Sequence, residues 1–214
     1  MNKSTFISAA QVLAVALATT LSFSAMGEGR AVVSSVRAAP QLSQSYTWYD
    51  GNRQETVWLN PQIVAEFNPS KQGTAAAKSA DANAKTLSAK YSKGAVRLWK
   101  MDNAGDAALR SLATSNATGK YSPVFHATSS TGSNMRALPG NIIVYLNPTW
   151  DAAAVDGWIK AKKLEVVKKL NIGPNIYVIK TAPGLEALNK ANELYLSGEV
   201  AAAFPDWWQE VSNR

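Results

Sequence analysis

The sequence predicts an α+β protein built from two tandem ferredoxin-like βαββαβ modules, the first degenerate, preceded by a β-hairpin. Three observations carry this. Residues 141–208 alternate short β-branched runs with helical periodicities in the order strand, helix, strand, strand, helix, strand. Residues 61–128 echo that order, down to an Asn-Pro step after the first strand. Ahead of both, Tyr46-Thr47-Trp48-Tyr49 and Thr56-Val57-Trp58-Leu59 flank Asp50-Gly51-Asn52, a turn signal between aromatic and β-branched runs, which predicts a hairpin over 46–60.

Taken in order, Lys3 precedes an apolar run over 6–23 that is too short and too weakly flanked for a membrane span and reads as a secretory signal. Ala25 and Gly27 suit cleavage near Gly27, with Gly29 and Ala31 as an alternative, so the signal peptide is assigned to 1–27 and a secreted or periplasmic location is expected. Residues 28–45, rich in Ala, Ser and Arg without a period, read as a flexible leader. There is no cysteine, which fits export without requiring it and excludes disulfides, thiol nucleophiles and cysteine-bound metals. The hydrophobic content of 46% is that of a globular chain, and no further membrane segment follows, so no membrane contact is expected once the signal is removed. A net charge of +7 would suit an acidic partner, nucleic acid or an anionic surface, but lysines spread along a chain serve solubility more often, and that reading is preferred.

The first module, 61–128, opens with Gln62-Ile63-Val64-Ala65-Glu66-Phe67-Asn68-Pro69, matching Asn141-Ile142-Ile143-Val144-Tyr145-Leu146-Asn147-Pro148. Residues 75–87 are alanine-rich and favour a helix. Its second strand is placed over 86–91 before a Ser92-Lys93-Gly94 turn, a long helix there being the alternative. Residues 96–100 parallel 177–180, Ala107-Ala108-Leu109 with Leu112 parallels Ala187-Leu188 with Ala191, and Gly119 stands before Tyr121 as Gly198 stands before Val200. Residues 129–140 form a polar, glycine-containing linker, short enough that the two copies are expected to pack together.

The second module, 141–208, has a strand that Asn147-Pro148 stops, since proline cannot donate to a ladder. Trp150, Ala154 and Trp158 share a helical face, with Thr149 or Asp151 as the cap. Strands over 164–170 and 176–181 are joined through Asn171-Ile172-Gly173-Pro174-Asn175. Leu185, Leu188, Ala191 and Tyr195 space a second helix that Gly198 can end, and residues 200–204 make the last strand. Residues 209–214 are the tail.

The search for chemistry returns little. His126 is the only histidine, without a nucleophile motif or metal spacing around it, so it reads as a surface or strand-end residue. Asp102 and Asp106 have helical spacing but no catalytic context, and no phosphate-cradling glycine loop is present. No enzyme, cofactor or metal is expected. The strands lack the glycine-aromatic pattern of an RNA-recognition sheet, which argues against nucleic acid. Trp207 and Trp208 stand out, because adjacent residues of an extended chain point to opposite sides; one is expected to close the core and the other to be an interface anchor.

The second module resembles the N-terminal prodomain of secreted subtilisin-like serine proteases. The carrying residues are Ile142-Ile143-Val144-Tyr145-Leu146 with Asn147-Pro148, the hairpin from Leu164 through Gly173 to Ile179, Glu186-Ala187-Leu188 leading to Ser197-Gly198-Glu199-Val200, and Pro205-Asp206 after the last strand. Upstream, the hairpin with Asp50-Gly51 and Tyr121-Ser122-Pro123-Val124-Phe125 resemble parts of longer bacterial prodomains, so nearly the whole chain beyond the signal is covered. Each motif is common; their order and spacing are the specific part. The resemblance implies folding-chaperone and inhibitor activity toward a subtilisin-like protease, with the open face of the second sheet, candidates Tyr145 and Phe204, resting on the enzyme. It also implies a tail lying in the substrate cleft, with Val211, Ser212, Asn213 and Arg214 in the subsites before the scissile position. Since the chain ends at Arg214 without the catalytic motifs that follow in the family, a free-standing prodomain acting on a separately encoded protease is expected. The reading from another class is an exported adhesion or assembly module using the sheet and Trp207 or Trp208, and a third is the remnant of a truncated protease gene.

Overall fold

The computed structural model describes residues 44–87, 96–102, 104–114, 120–132 and 134–210. Residues 1–43, which include the stretch read as a signal and all but the last two residues of the expected leader 28–45, lie outside them, as do the tail residues 211–214; Ser45, at the end of that leader, already belongs to β1. In chain order the elements are β1 (Ser45–Asp50), β2 (Arg53–Phe67), α1 (Lys71–Ala80), β3 (Lys85–Thr86), β4 (Val96–Lys100), α2 (Asp106–Thr114), β5 (Lys120–His126) and β6 (Arg136–Ala137). There follow β7 (Ile142–Tyr145), α3 (Ala152–Ala161), β8 (Val166–Lys169), β9 (Ile176–Ile179), α4 (Leu185–Leu196), β10 (Ala202–Pro205) and β11 (Trp208–Gln209). The described residues thus form a mixed α+β fold with two sheets, every strand pair antiparallel.

The smaller sheet runs β10-β7-β9-β8 and the larger β11-β6-β5-β2-β4-β3, with β1 added on β2. Within the larger sheet, β5-β2-β4-β3 has the order of the smaller one: fourth, first, third and second strand of a strand-helix-strand-strand-helix-strand chain. The pairing refines the sequence echo by one residue. Val64 lies opposite Trp99 and Pro123, whereas Ile142 lies opposite Ile179 and Pro205. Val64, not Ile63, therefore occupies the place of Ile142, and Glu66 that of Val144. A slip of one moves every side chain to the other face of a strand.

Other boundaries differ from those read in the sequence. The second strand of the hairpin and the first strand of the first module are one strand, β2, whose register against β5 breaks between Leu59 and Val64, where Pro61 has no N–H to give. The Asn60 amide closes that break: its oxygen accepts from Gln62 N at 2.9 Å, and its nitrogen lies 3.0 Å from Nε2 of the buried His126. The alanine-rich helix is α1, over 71–80 rather than 75–87, because Ser70 caps its start and Asp81, in extended conformation, turns the chain out. Asp81 holds Asn83 N and Asp102 N with its carboxylate. The second strand expected over 86–91 is the two-residue β3, one position earlier, and 88–95 lie outside the described residues. Residues 129–140 are no mere linker, since they contain β6 and the buried Met135, Ala137 and Leu138.

In the second half, Asp151 caps α3 by accepting from Ala154 N at 2.8 Å. Gly198 ends α4 at φ +72°, a left-handed conformation that glycine adopts without a Cβ penalty. The buried Asn175, at φ +52°, donates to the carbonyls of Asn147 and Trp150 and so ties the β8–β9 hairpin to the start of α3. Ile142, Val144, Ile179 and Ala203 face α3 and α4, packing with Val155, Leu188, Ala191 and Leu194. The same cluster takes in Trp48, Val57, Leu59 and Phe125 from the first half, so one core serves both.

Candidate functional site

Strand alternation sets one candidate surface. With Ile142, Val144 and Ala203 turned toward the helices, Ile143, Tyr145 and Phe204 fall on the opposite, helix-free face. Ile143 pairs with Phe204 and Val178, and Tyr145 with Ile176. The rings of Tyr145 and Phe204 lie 5.6 Å apart at 39°, both partly buried. The expected pair is thus brought together and Ile143, which was not named in advance, joins it on the accessible part of the face, while Ile176 and Val178, on the same side of the sheet, are buried within the chain at 4% exposure each. The period-2 pattern was the available signal for them.

Trp207 and Trp208 do point to opposite sides, but each finds a site within the chain. The Trp207 ring meets Trp48 at 5.5 Å and Phe125 at 5.7 Å, both edge-on. Trp208 enters β11, opposite Ala137 on the edge of the larger sheet, and packs with the cluster of Ala65, Phe67 and Leu98. Glu210 N continues the pairing to Met135 O at 2.9 Å. The tail is therefore tied to the first half as far as Glu210; Val211, Ser212, Asn213 and Arg214 lie outside the described residues.

Asp206 sits where the helix-free face meets the tail. Burial raises its carboxyl above the usual range, and Lys168 partly offsets this. A carboxyl whose folded pKa is raised favours the folded state when protonated; that contribution is complete below the ordinary value and is lost as pH rises through the raised one. Asp206→Asn is expected to raise Tm at pH 7 relative to the parent, with the difference vanishing in acid; a Tm difference independent of pH would contradict this.

A second cluster escaped the sequence reading. Glu66, fully buried, accepts from Trp99 Nε1 at 2.8 Å and from Ser70 N at 3.3 Å, with the Arg97 guanidinium 3.7 Å away. The carboxylate lies at the start of α1, where the helix dipole favours negative charge. Beside it the Tyr121 hydroxyl, which donates to Gly73 O at 3.1 Å, is pushed up to about 12, first by burial and then by Glu66. Every polar group here is engaged by the fold, so the cluster anchors α1 to its sheet. Nothing in the spacing of Glu66, Trp99 and Tyr121 along the chain signalled this, because each comes from a different strand.

Among the described residues no group of three or more His, Cys, Asp or Glu is placed to hold a metal ion. A depression of about 340 Å³ between α2, β5 and the start of α4, lined by Leu109, Arg110, Tyr121 and Leu185, contains none of the expected site residues. No helix among these residues is long and apolar enough to cross a membrane. Comparison with family models, with curated proteins and with solved structures finds no match for the chain.

Proposed function

We propose that the protein is a prodomain-like partner of a subtilisin-like serine protease, assisting its folding or restraining its activity, and that its two halves are tandem ferredoxin-like modules. The observation that carries this is the helix-free face of the β10-β7-β9-β8 sheet, with Ile143, Tyr145 and Phe204 together on it and Pro205-Asp206 leading away from it. The matching strand order in the larger sheet supports the duplication. A surface complementary to a folded protease stabilises the enzyme's folding and occludes it afterwards, so one face serves both roles. An interface of roughly 1,600 Å² would suffice for tight binding. Residues 211–214 would extend into the substrate cleft and pair with its edge by backbone hydrogen bonds. The adhesion reading used the sheet together with Trp207 or Trp208, and it loses support from the tryptophans because both rings pack within the chain.

Purified protein is expected to slow a subtilisin-like protease in a peptide-hydrolysis assay. Tyr145→Ala with Phe204→Ala should weaken inhibition by roughly tenfold or more. Removing 211–214 should weaken it while leaving Tm unchanged, because β11 is retained. Absence of inhibition across such proteases, and absence of any serine protease from material copurified with the protein, would sink the proposal; inhibition untouched by removal of 211–214 would exclude the cleft-filling step.

A further inference from the structure

The positive charge is not spread evenly. Residues 160–180 hold six lysines and one glutamate, a net of five within a chain of net +7. Two of these lysines are neutralised locally, Lys162 by Glu199 at 2.6 Å and Lys180 by Glu165 at 2.8 Å. Lys160, Lys163, Lys168 and Lys169 are exposed and have no carboxylate within 4 Å among the described residues, although Lys168 lies near enough to Asp206 to lower its pKa. Among the described residues the same hairpin carries three of the four exposed large apolar side chains: Val166 at 39%, Val167 at 49% and Ile172 at 72%. Ile172 stands in the turn between β8 and β9, with Lys168 and Lys169 just before it, and Asn175 fixes that turn against the backbone of Trp150.

One exposed apolar side chain at a tied-down turn, two more at the start of the strand that leads to it, and unneutralised lysines along that strand are the chemistry of a surface that rests on anionic lipid headgroups with its tip at the acyl boundary. We propose that the β8–β9 hairpin docks the protein on an anionic bilayer surface. This departs from the expectation of no membrane contact. The other use of a basic edge, addition of an acidic peptide strand to β8, is disfavoured by the register break between Val166 and Lys168 and by lysines along the edge, both of which oppose strand addition. The inference is independent of the protease reading, since the hairpin edge and the face of Tyr145 and Phe204 can be altered separately.

The test is co-sedimentation of the full chain with phosphatidylcholine vesicles made with and without phosphatidylglycerol. Any partitioning by the apolar run 6–23 would occur with both, so the readout is the difference between them. Binding should favour the anionic vesicles and fall with added salt. Each lysine at such a surface strengthens binding about fivefold, so Lys168→Glu with Lys169→Glu should lower the anionic preference by more than tenfold, and Ile172→Asp should reduce it several-fold, with circular dichroism unchanged. Equal binding to both vesicle types, or a preference untouched by the lysine substitutions, would overturn the proposal. Lysine-dependent binding to polyglutamate with no vesicle preference would also overturn it, assigning the hairpin to an acidic polypeptide.

Discussion

Gly73→Ala is expected to destabilise the protein by about 2–3 kcal/mol, measured by urea or thermal unfolding. The sign is opposite to the usual one, because alanine within a helix is ordinarily better than glycine by about 1 kcal/mol. Here a Cβ on residue 73 would lie 1.8 Å from Oε1 of Glu66 and 2.9 Å from the Tyr121 hydroxyl. The glycine exists to admit the buried carboxylate. Glu66→Val, which installs the residue type found at the equivalent Val144, should by itself cost about 3 kcal/mol, because it strips the acceptor from the buried Trp99 indole N–H and the counter-charge from Arg97, which is left with its bonds to Thr74 and the Ser70 carbonyl. Combined, the two changes should cost clearly less than their sum, since the valine removes the oxygen that the new methyl would strike. A double variant that loses the full sum would show that Gly73 is required for another reason.

Trp207→Ala should be comparably severe, a loss of about 3–5 kcal/mol, because the ring fills the space between Trp48 of the hairpin and Phe125 of β5 in the core that joins the two halves. Trp207→Phe should cost far less. The indole Nε1 is buried without a hydrogen-bond partner, so phenylalanine gives up contact area but also removes an unsatisfied donor. If the two variants were equally unstable, a bond to that nitrogen would have to be inferred. Because Trp207 lies on the opposite side of the chain from Trp208, these losses should leave the β11–β6 pairing and its protection in hydrogen exchange less affected than the hairpin.

The second half was the more legible in the sequence, and the reason lies in its packing. Ile142 to Tyr145, the Trp150-to-Ile159 face and the Leu185-to-Tyr195 face each answer to one neighbour, so local periodicity records the burial. The first half was less so. Its central strand is buried on both faces, with Val64 in one cluster and Ala65 and Phe67 in another, so alternation no longer reports which side is which and the echo slipped by one residue. The aromatic pair Tyr145 and Phe204 was named through the resemblance together with their place on strands, whereas the buried site of Trp207 could not be, because Trp48 and Phe125 lie far from it along the chain.

By itself the sequence determined the α+β class, the order of strands and helices in 141–208, the helix end at Gly198, the hairpin turn at Gly51 and the choice of Thr149 or Asp151 as a cap, all of which depend on residues within a few positions of one another; the structure decided for Asp151. Only the tertiary structure decided that β2 runs unbroken from the hairpin into the first half, that Glu66 is buried against Gly73, that the two tryptophans serve separate cores and that the tail returns to pair with β6. These depend on contacts between segments many residues apart, whose closure is set by packing and by the pairing of backbone groups across strands, and no local pattern records them.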